Sequence, residues 1–304
     1  MSPTEATVLV TGANGLVGRR ICETLSARGA RVRAVVRRRG TAPEIPGVEE
    51  LVGDFTDSGF ATSAVPGATA LVTTVHPMDS DRATQHRVAV EGTPALARAA
   101  AAAGVKRLIH ISTAAVYDRS PGVGDVDESS RLVGDGAGDY AVTKRDADLA
   151  LAAVEGITRV LLRPPAILGP GPTSVWNTLR PNEMRANPDE RAAIPEQTFP
   201  WVHVTDLATL AAELATGRVP QAADPEEGPV AEGCTPLNVA AARATQRDYV
   251  AAVTGALGVD PVWKDTPAWT GQLLAGRAHR WGWRPQVELA QALAELVAGL
   301  SDER

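Results

Sequence analysis

Val8-Leu9-Val10-Thr11-Gly12-Ala13-Asn14-Gly15-Leu16-Val17-Gly18 decides how this chain folds. The apolar run reads as a buried strand. Three glycines follow at the spacing that turns a strand into a helix around a dinucleotide pyrophosphate. Gly12 permits the tight turn. Gly15 lets the backbone approach phosphate with no Cβ in the way, and Gly18 lets the new helix pack close to the strand. The helix N-terminus presents free N–H groups and a positive dipole end to the anion. Glycine turns are common, so context matters: a strand-like run precedes this one and a helical pattern over Leu16–Leu25 follows it.

Outward from that turn, strand-like and helix-like patterns alternate. Strands are expected at Thr7–Thr11, Arg31–Val36, Glu50–Val52, Ala70–Val75, Arg107–Ser112 and Thr158–Leu162. Helices are expected over Gly15–Arg28, Thr84–Ala103 and Tyr140–Val154, the first two stopped by Gly29 and Gly104. This alternation implies an α/β fold: a doubly wound parallel (Rossmann) sheet with a small C-terminal substrate-binding region. The expected division is a dinucleotide-binding domain over 1–168, rejoined by about 201–225, with 169–200 and 226–304 covering the substrate. In the second part, a short helix is expected around Trp176–Met184 and a strand at Trp201–Val204. Helix Asp206–Thr216 follows, with Thr205 as its N-cap. A strand at Pro236–Ala240 and helices near Gln246–Leu257 and Val287–Leu300 complete it.

The chain has 304 residues, 44% hydrophobic and 22% charged, the balance of a globular protein with ample core. A net charge of -6 gives no footing for a nucleic-acid partner. No apolar run reaches membrane-spanning length, no signal peptide is read, and the two cysteines imply neither a disulfide framework nor a metal site. A cytoplasmic protein acting on a small molecule is the expectation.

Tyr140 and Lys144 lie four apart in a helical segment, which places both side chains on one face. An ammonium beside a phenol lowers the phenol's pKa and suits it to proton transfer near neutrality. Upstream, Ile109-His110-Ile111-Ser112-Thr113 is a strand ending in two hydroxyls that can hold a carbonyl oxygen against the tyrosine. An isolated Tyr-x-x-x-Lys is usually incidental. Its place after a hydroxyl-ended strand and a glycine fingerprint argues for catalysis.

With these motifs in order, most of the chain resembles the extended short-chain dehydrogenases/reductases, also called the NAD-dependent epimerase/dehydratase family. The likeness is carried by Thr11–Gly18, Gly53-Asp54, Val105-Lys106-Arg107, Ile111–Tyr117, Tyr140–Lys144, Leu162–Pro164, Leu168–Pro170 and Trp201–Asp206. It implies Thr113 in the catalytic Ser/Thr place, Tyr140 as acid/base, and Lys144 tuning it and holding the nicotinamide ribose. Asp54 would accept from the adenine amino group. Gly12, Asn14, Gly15, Leu16, Val17, Gly18, Phe55, Thr73, Thr74, Pro164 and Tyr140 itself complete the expected coenzyme contacts. Family members often dimerise through two helices of the parallel-sheet domain, and the small-residue face of Thr84–Ala103 is compatible with a homodimer.

The strand Arg33–Val36 runs into Arg37-Arg38-Arg39 with no Asp or Glu to bond a ribose 2′-hydroxyl. Arginines there suit a 2′-phosphate, so NADP(H) is expected over NAD(H), with Arg37 first and Arg38 next. Ala166 stands near the position where nucleotide-sugar members carry an Asn, which favours the ketone-reducing branch. Ala89 likewise replaces an Asn common among relatives. Expected substrate contacts are His76, Ser112, Tyr117, Ile167, Trp176 and Trp201, with Thr74, Met78 and Asn177 also candidates. The substrate expected is an apolar or aromatic secondary-metabolite ketone, since few polar anchors for phosphate stand in the covering segment apart from Arg180 and Arg185. His110 and His203 read as structural, and Trp263, Trp269, Trp281 and Trp283 as core. The alternatives are a sugar epimerase or dehydratase with bound NAD(P), and a dinucleotide-sensing regulator without catalysis.

Overall fold

The computed structural model describes residues 6–302. Its first half alternates as follows: β1 (Thr7–Thr11), α1 (Leu16–Ala27), β2 (Arg31–Val36), β3 (Val48–Val52), α2 (Ser58–Ala64) and β4 (Ala70–Thr73). A helix then runs through α3 (Arg82–His86), a π-helical turn (Arg87–Gly92) and α4 (Thr93–Ala102), before β5 (Arg107–Ile111). Next come α5 (Asp139–Ala152), β6 (Thr158–Arg163), β7 (Ala166–Leu168), α6 (Arg180–Ala186), β8 (Ala192–Ala193) and β9 (Trp201–His203). The chain continues with α7 (Val204–Ala215), β10 (Cys234–Asn238), α8 (Gln246–Leu257), β11 (Val262–Trp263), α9 (Gly276–Arg280) and α10 (Leu289–Asp302).

Among the described residues the main sheet has seven strands in the order β10-β6-β5-β4-β1-β2-β3, with all its pairs parallel. The order reverses between β1 and β4, and ligands of such sheets sit at that switch point beyond the strands' carboxyl ends. Side chains on a strand alternate between faces. Val8 and Val10 accordingly join one core with α1 and α7, while Leu9 joins a second core with α2, α4 and α5. Both faces are covered, which is why β1, β4 and β5 read as nearly unbroken apolar runs. A third core gathers Met184, Phe199, Trp201, Tyr249, Val253 and Leu296.

The sheet confirms the expected fold class, and most boundaries shift by one or two residues. Helix α7 starts earlier than expected. His203 is its N-cap, its Nδ1 accepting from the Thr205 N–H at 3.3 Å, so Thr205 lies inside the helix. His203 Nε2 also meets Glu295 at 3.1 Å, consistent with a structural role. Trp263 is not core. It is 36% exposed on a two-residue strand, with the Arg247 guanidinium over its ring. Trp269, Trp281 and Trp283 are buried as expected.

Candidate active site

One cleft of about 1230 Å³ runs past the switch point. The glycine turn forms its coenzyme end, and a Cβ test of its three glycines separates their roles. Gly12 has a φ of +70°, where L side chains are strained, and a Cβ there would strike the Thr74 hydroxyl. A Cβ on Gly18 would run into the Gly12 carbonyl, so this glycine sets how close α1 packs to the turn. Gly15 is different. A Cβ there would meet only the Gly12 carbonyl at 3.5 Å and would otherwise stand in the cleft. That open space before a helix N-terminus fits a pyrophosphate. Asn14, Leu16, Val17, Arg37, Arg38, Asp54, Phe55 and Thr74 line the same end. The Asp54 carboxylate accepts from the Thr56 N–H and hydroxyl at 2.9 and 2.7 Å. Glu50 accepts the N–H groups of Gly40, Thr41 and Ala42 at 2.9–3.1 Å and folds the loop after Arg37 and Arg38.

Midway along the cleft, β5 and α5 bring three side chains together. Thr113 follows β5, and its hydroxyl stands close enough to the Tyr140 phenol to pull the phenol's pKa down. Both line the cleft. Lys144, one helical turn on, is buried behind them, and its Nζ donates to the Ile111 carbonyl at 2.9 Å. The expected phenol–ammonium effect is absent. Burial raises the Tyr140 pKa, with the Thr113 hydroxyl pulling it back only in part. The ammonium instead bears the burial cost, falling to about 8 with Asp148 as its one opposing charge. The reason is geometric: the lysine nitrogen is directed at a strand carbonyl and not at the phenol.

His76 lies edge-on to Tyr140, ring centroids 5.0 Å apart. Its Nε2 faces the Gln85 Oε1 at 3.1 Å, while the Gln85 Nε2 donates to the Ser80 carbonyl at 2.9 Å. The amide orientation therefore puts the imidazole proton on Nε2. Burial and the nearby Lys144 charge push the His76 pKa down to about 4. His110, whose Nδ1 bonds the Thr73 hydroxyl at 2.8 Å, is pushed well below 6.5 by the same causes. Both imidazoles are neutral in the fold but charge in the unfolded chain below about 6.5. Stability is therefore fully present above 6.5 and is lost as pH falls toward 4. Thermal unfolding should show a midpoint that drops steadily between pH 6.5 and 4.5, and His110→Asn should flatten that slope.

Several expected contacts lie elsewhere. Tyr117 is buried in the sheet core, where its hydroxyl donates to Asn238 Oδ1 and accepts from Arg163, both at 2.8 Å. The family motif places it beside Thr113, but a 3-10 turn (Ala114–Val116) swings it inward. Trp201 packs in the third core with its indole N–H on the Ala242 carbonyl. Ser112 is buried against Asp148. Thr73 is turned to His110, and Pro165, not Pro164, lines the cleft. Asn177 is buried, accepting from the Gly169 N–H at 2.9 Å. Arg180 pairs with Glu190 and Arg185 with Asn182, neither in the cleft. His76, Met78, Ile167 and Trp176 do line it. So do residues with no sequence signal: Arg119, Gln197, Thr198, Phe199 and Trp269. Among the described residues no His/Cys/Asp/Glu group is arranged to hold a metal, and no helix is long and apolar enough to cross a membrane.

Residues 12–196 match the NAD(P)H-binding family. Sterol demethylase protein B of Methylococcus capsulatus is 34% identical over 171 residues, 54% of this chain and 52% of that protein. A ketoreductase of Stigmatella aurantiaca, named for a 4-hydroxy-2-methyl-3-oxo-4-farnesyl-3,4-dihydroquinoline-1-oxide, is 32% identical over 172 residues, 54% of this chain and 51% of that one. The match thus spans about half the length of these relatives. The crystal structure of the Bordetella bronchiseptica enzyme WbmG in complex with NAD superposes with a TM-score of 0.76, covering 99% of this chain and 97% of that one at 20% identity. With its glycine turn, switch-point cleft and full-length superposition, this chain belongs to the NAD(P)H-binding family and has the fold of the extended short-chain dehydrogenases/reductases.

Proposed function

We propose that this protein reduces a ketone on a small, largely apolar substrate with NADPH. The observation that carries the reading is the Thr113 hydroxyl beside the Tyr140 phenol in a cleft that begins at the glycine turn. A bound nicotinamide supplies the hydride. The chain supplies the rest. A phenol whose pKa is raised holds its proton through the neutral range and is poised to give it to a carbonyl oxygen as charge develops there. The Thr113 hydroxyl offers that oxygen a second donor, and both donors are fixed before reaction. Lys144 adds positive charge behind the pair below about pH 8. Ala166 and Ile167 give the substrate end an apolar wall, which supports a ketone over a sugar nucleotide.

The preference for NADPH rests on Arg37 and Arg38 at the coenzyme end, with no carboxylate at the end of β2. Charge-assisted bonds of this kind contribute about 1.5–3 kcal/mol each. Wild-type protein titrated with both coenzymes should bind NADPH at least tenfold tighter than NADH. The Arg37→Ala/Arg38→Ala variant should lose that margin and keep its NADH affinity. Equal wild-type affinities refute the coenzyme assignment. A ketone panel followed by NADPH absorbance tests the reaction, and transient oxidation with no net coenzyme consumption would mark an epimerase.

A further inference from the structure

Of the charged residues lining the cleft, Arg119 is the one that nothing above uses. It follows the 3-10 turn after β5 and lines the substrate end of the cleft. Its guanidinium lies over the Trp269 ring, 5.5 Å from the centroid. No carboxylate or carbonyl of the described residues pairs with it, and burial alone lowers its pKa. A half-buried, always-charged group without a partner is costly to keep in a fold. Among the described residues, the buried Arg163 pairs with Asp148 at 2.9 Å and the buried Arg159 donates to the Ile157 carbonyl at 3.1 Å.

A second feature stands beside it. Thr198 is 4% exposed and lines the same end, and its Oγ1 has no hydrogen-bond partner. The Thr198 N–H donates to the Trp269 carbonyl at 3.1 Å, so Thr198, Trp269 and Arg119 form one cluster. The cluster is rigidly held. The Trp269 indole N–H donates to the Gly124 carbonyl at 2.9 Å, and Gly271 packs so tightly on Gly124 that a Cβ would strike its carbonyl. Asp54, at the coenzyme end, is the one carboxylate among the residues lining the cleft. The substrate end is thus positive and otherwise mostly apolar.

We propose that Arg119, seated on Trp269 and joined by the Thr198 hydroxyl, is a binding site for a carboxylate on the substrate. The ligand class is an oxo acid: an apolar body, a ketone for Tyr140 and an anionic end for Arg119. The fork of a guanidinium matches the two oxygens of a carboxylate, and stacking on an indole fixes its plane. This deepens the ketone-reduction reading and rests on it for the ketone, while the anion site stands on its own geometry.

The test is calorimetric titration of the NADP⁺-saturated protein with 3-oxodecanoate and benzoylacetate, each against its methyl ester. The acids should bind at least tenfold tighter than the esters. Arg119→Gln should abolish that margin, Arg119→Lys should keep part of it, and Thr198→Val should reduce it several-fold. NADP⁺ affinity of each variant reports its folding. Equal affinity of acid and ester, no binding of either, or an acid preference that survives in Arg119→Gln overturns the proposal. Arg119-dependent binding of the acids with no reduction of any ketone would instead refute the reductase reading and leave the anion site in place.

Discussion

Tyr140→Phe is expected to lower kcat for NADPH-dependent ketone reduction by about a hundred- to ten-thousandfold. The phenol lines the cleft beside the Thr113 hydroxyl, and its raised pKa keeps it loaded at neutral pH. Removing its oxygen deletes both the proton and a preorganised donor. The ring remains to pack against His76. Coenzyme affinity should therefore change less than threefold, and KM modestly, so the loss should fall on kcat. Unchanged turnover would remove Tyr140 from the chemistry. Thr113→Ala should follow in the same direction with a smaller loss, since one donor persists.

The second large effect is on stability. Asp148 and Arg163 form an ion pair at 2.9 Å with side chains only 2% and 7% exposed. Burial lifts the Asp148 carboxyl above its ordinary range, and Arg163 pulls it back down. Truncating Asp148 to Ala leaves a buried guanidinium with only the Tyr117 hydroxyl, a situation that costs about 3–5 kcal/mol. For a chain of this size the thermal midpoint should fall by roughly 10 °C. Replacing both partners together, Asp148→Leu with Arg163→Met, should recover much of the loss, because no charge is then left stranded. If the single variant melts within 2 °C of wild type, on the order of 1 kcal/mol, the pair contributes no more than a surface contact. Since Lys144 senses Asp148 as its opposing charge, Asp148→Ala should also move the alkaline limb of the reductase profile below about 8.

What the sequence made legible is what local periodicity and backbone freedom encode. The strand–Gly12–Gly15–Gly18–helix turn, the parallel strands and the Tyr140–Lys144 spacing all depend on residues within a few positions of each other. Fates set by distant partners were not legible. Tyr117 is turned inward by Asn238 and Arg163, which stand on β10 and β6. Trp201 looked like a cleft residue because its motif adjoins the site, yet Ala242 claims its indole N–H. Lys144 has the right spacing from Tyr140, but the Ile111 carbonyl decides where its charge goes. Arg119 carried no pattern at all. A signal existed only in composition: aromatic Trp269 and an arginine in a chain with few aromatic residues, and nothing local joins them.

The two ends of the cleft differ in how far apart along the chain their walls lie. The glycine turn is closed by Thr74 reaching the Thr11 carbonyl, 63 residues away. The wall behind Arg119 is closed by Trp269 on Gly124 and Gln272 on Asp125, separations of 145 and 147 residues. Closing the longer loop orders more chain before any contact rewards it. On a ribosome, the turn is complete once β4 has emerged, whereas the opposite wall waits for nearly two hundred further residues. A growing chain of this protein therefore has the makings of a coenzyme cradle long before it has anywhere to put a substrate.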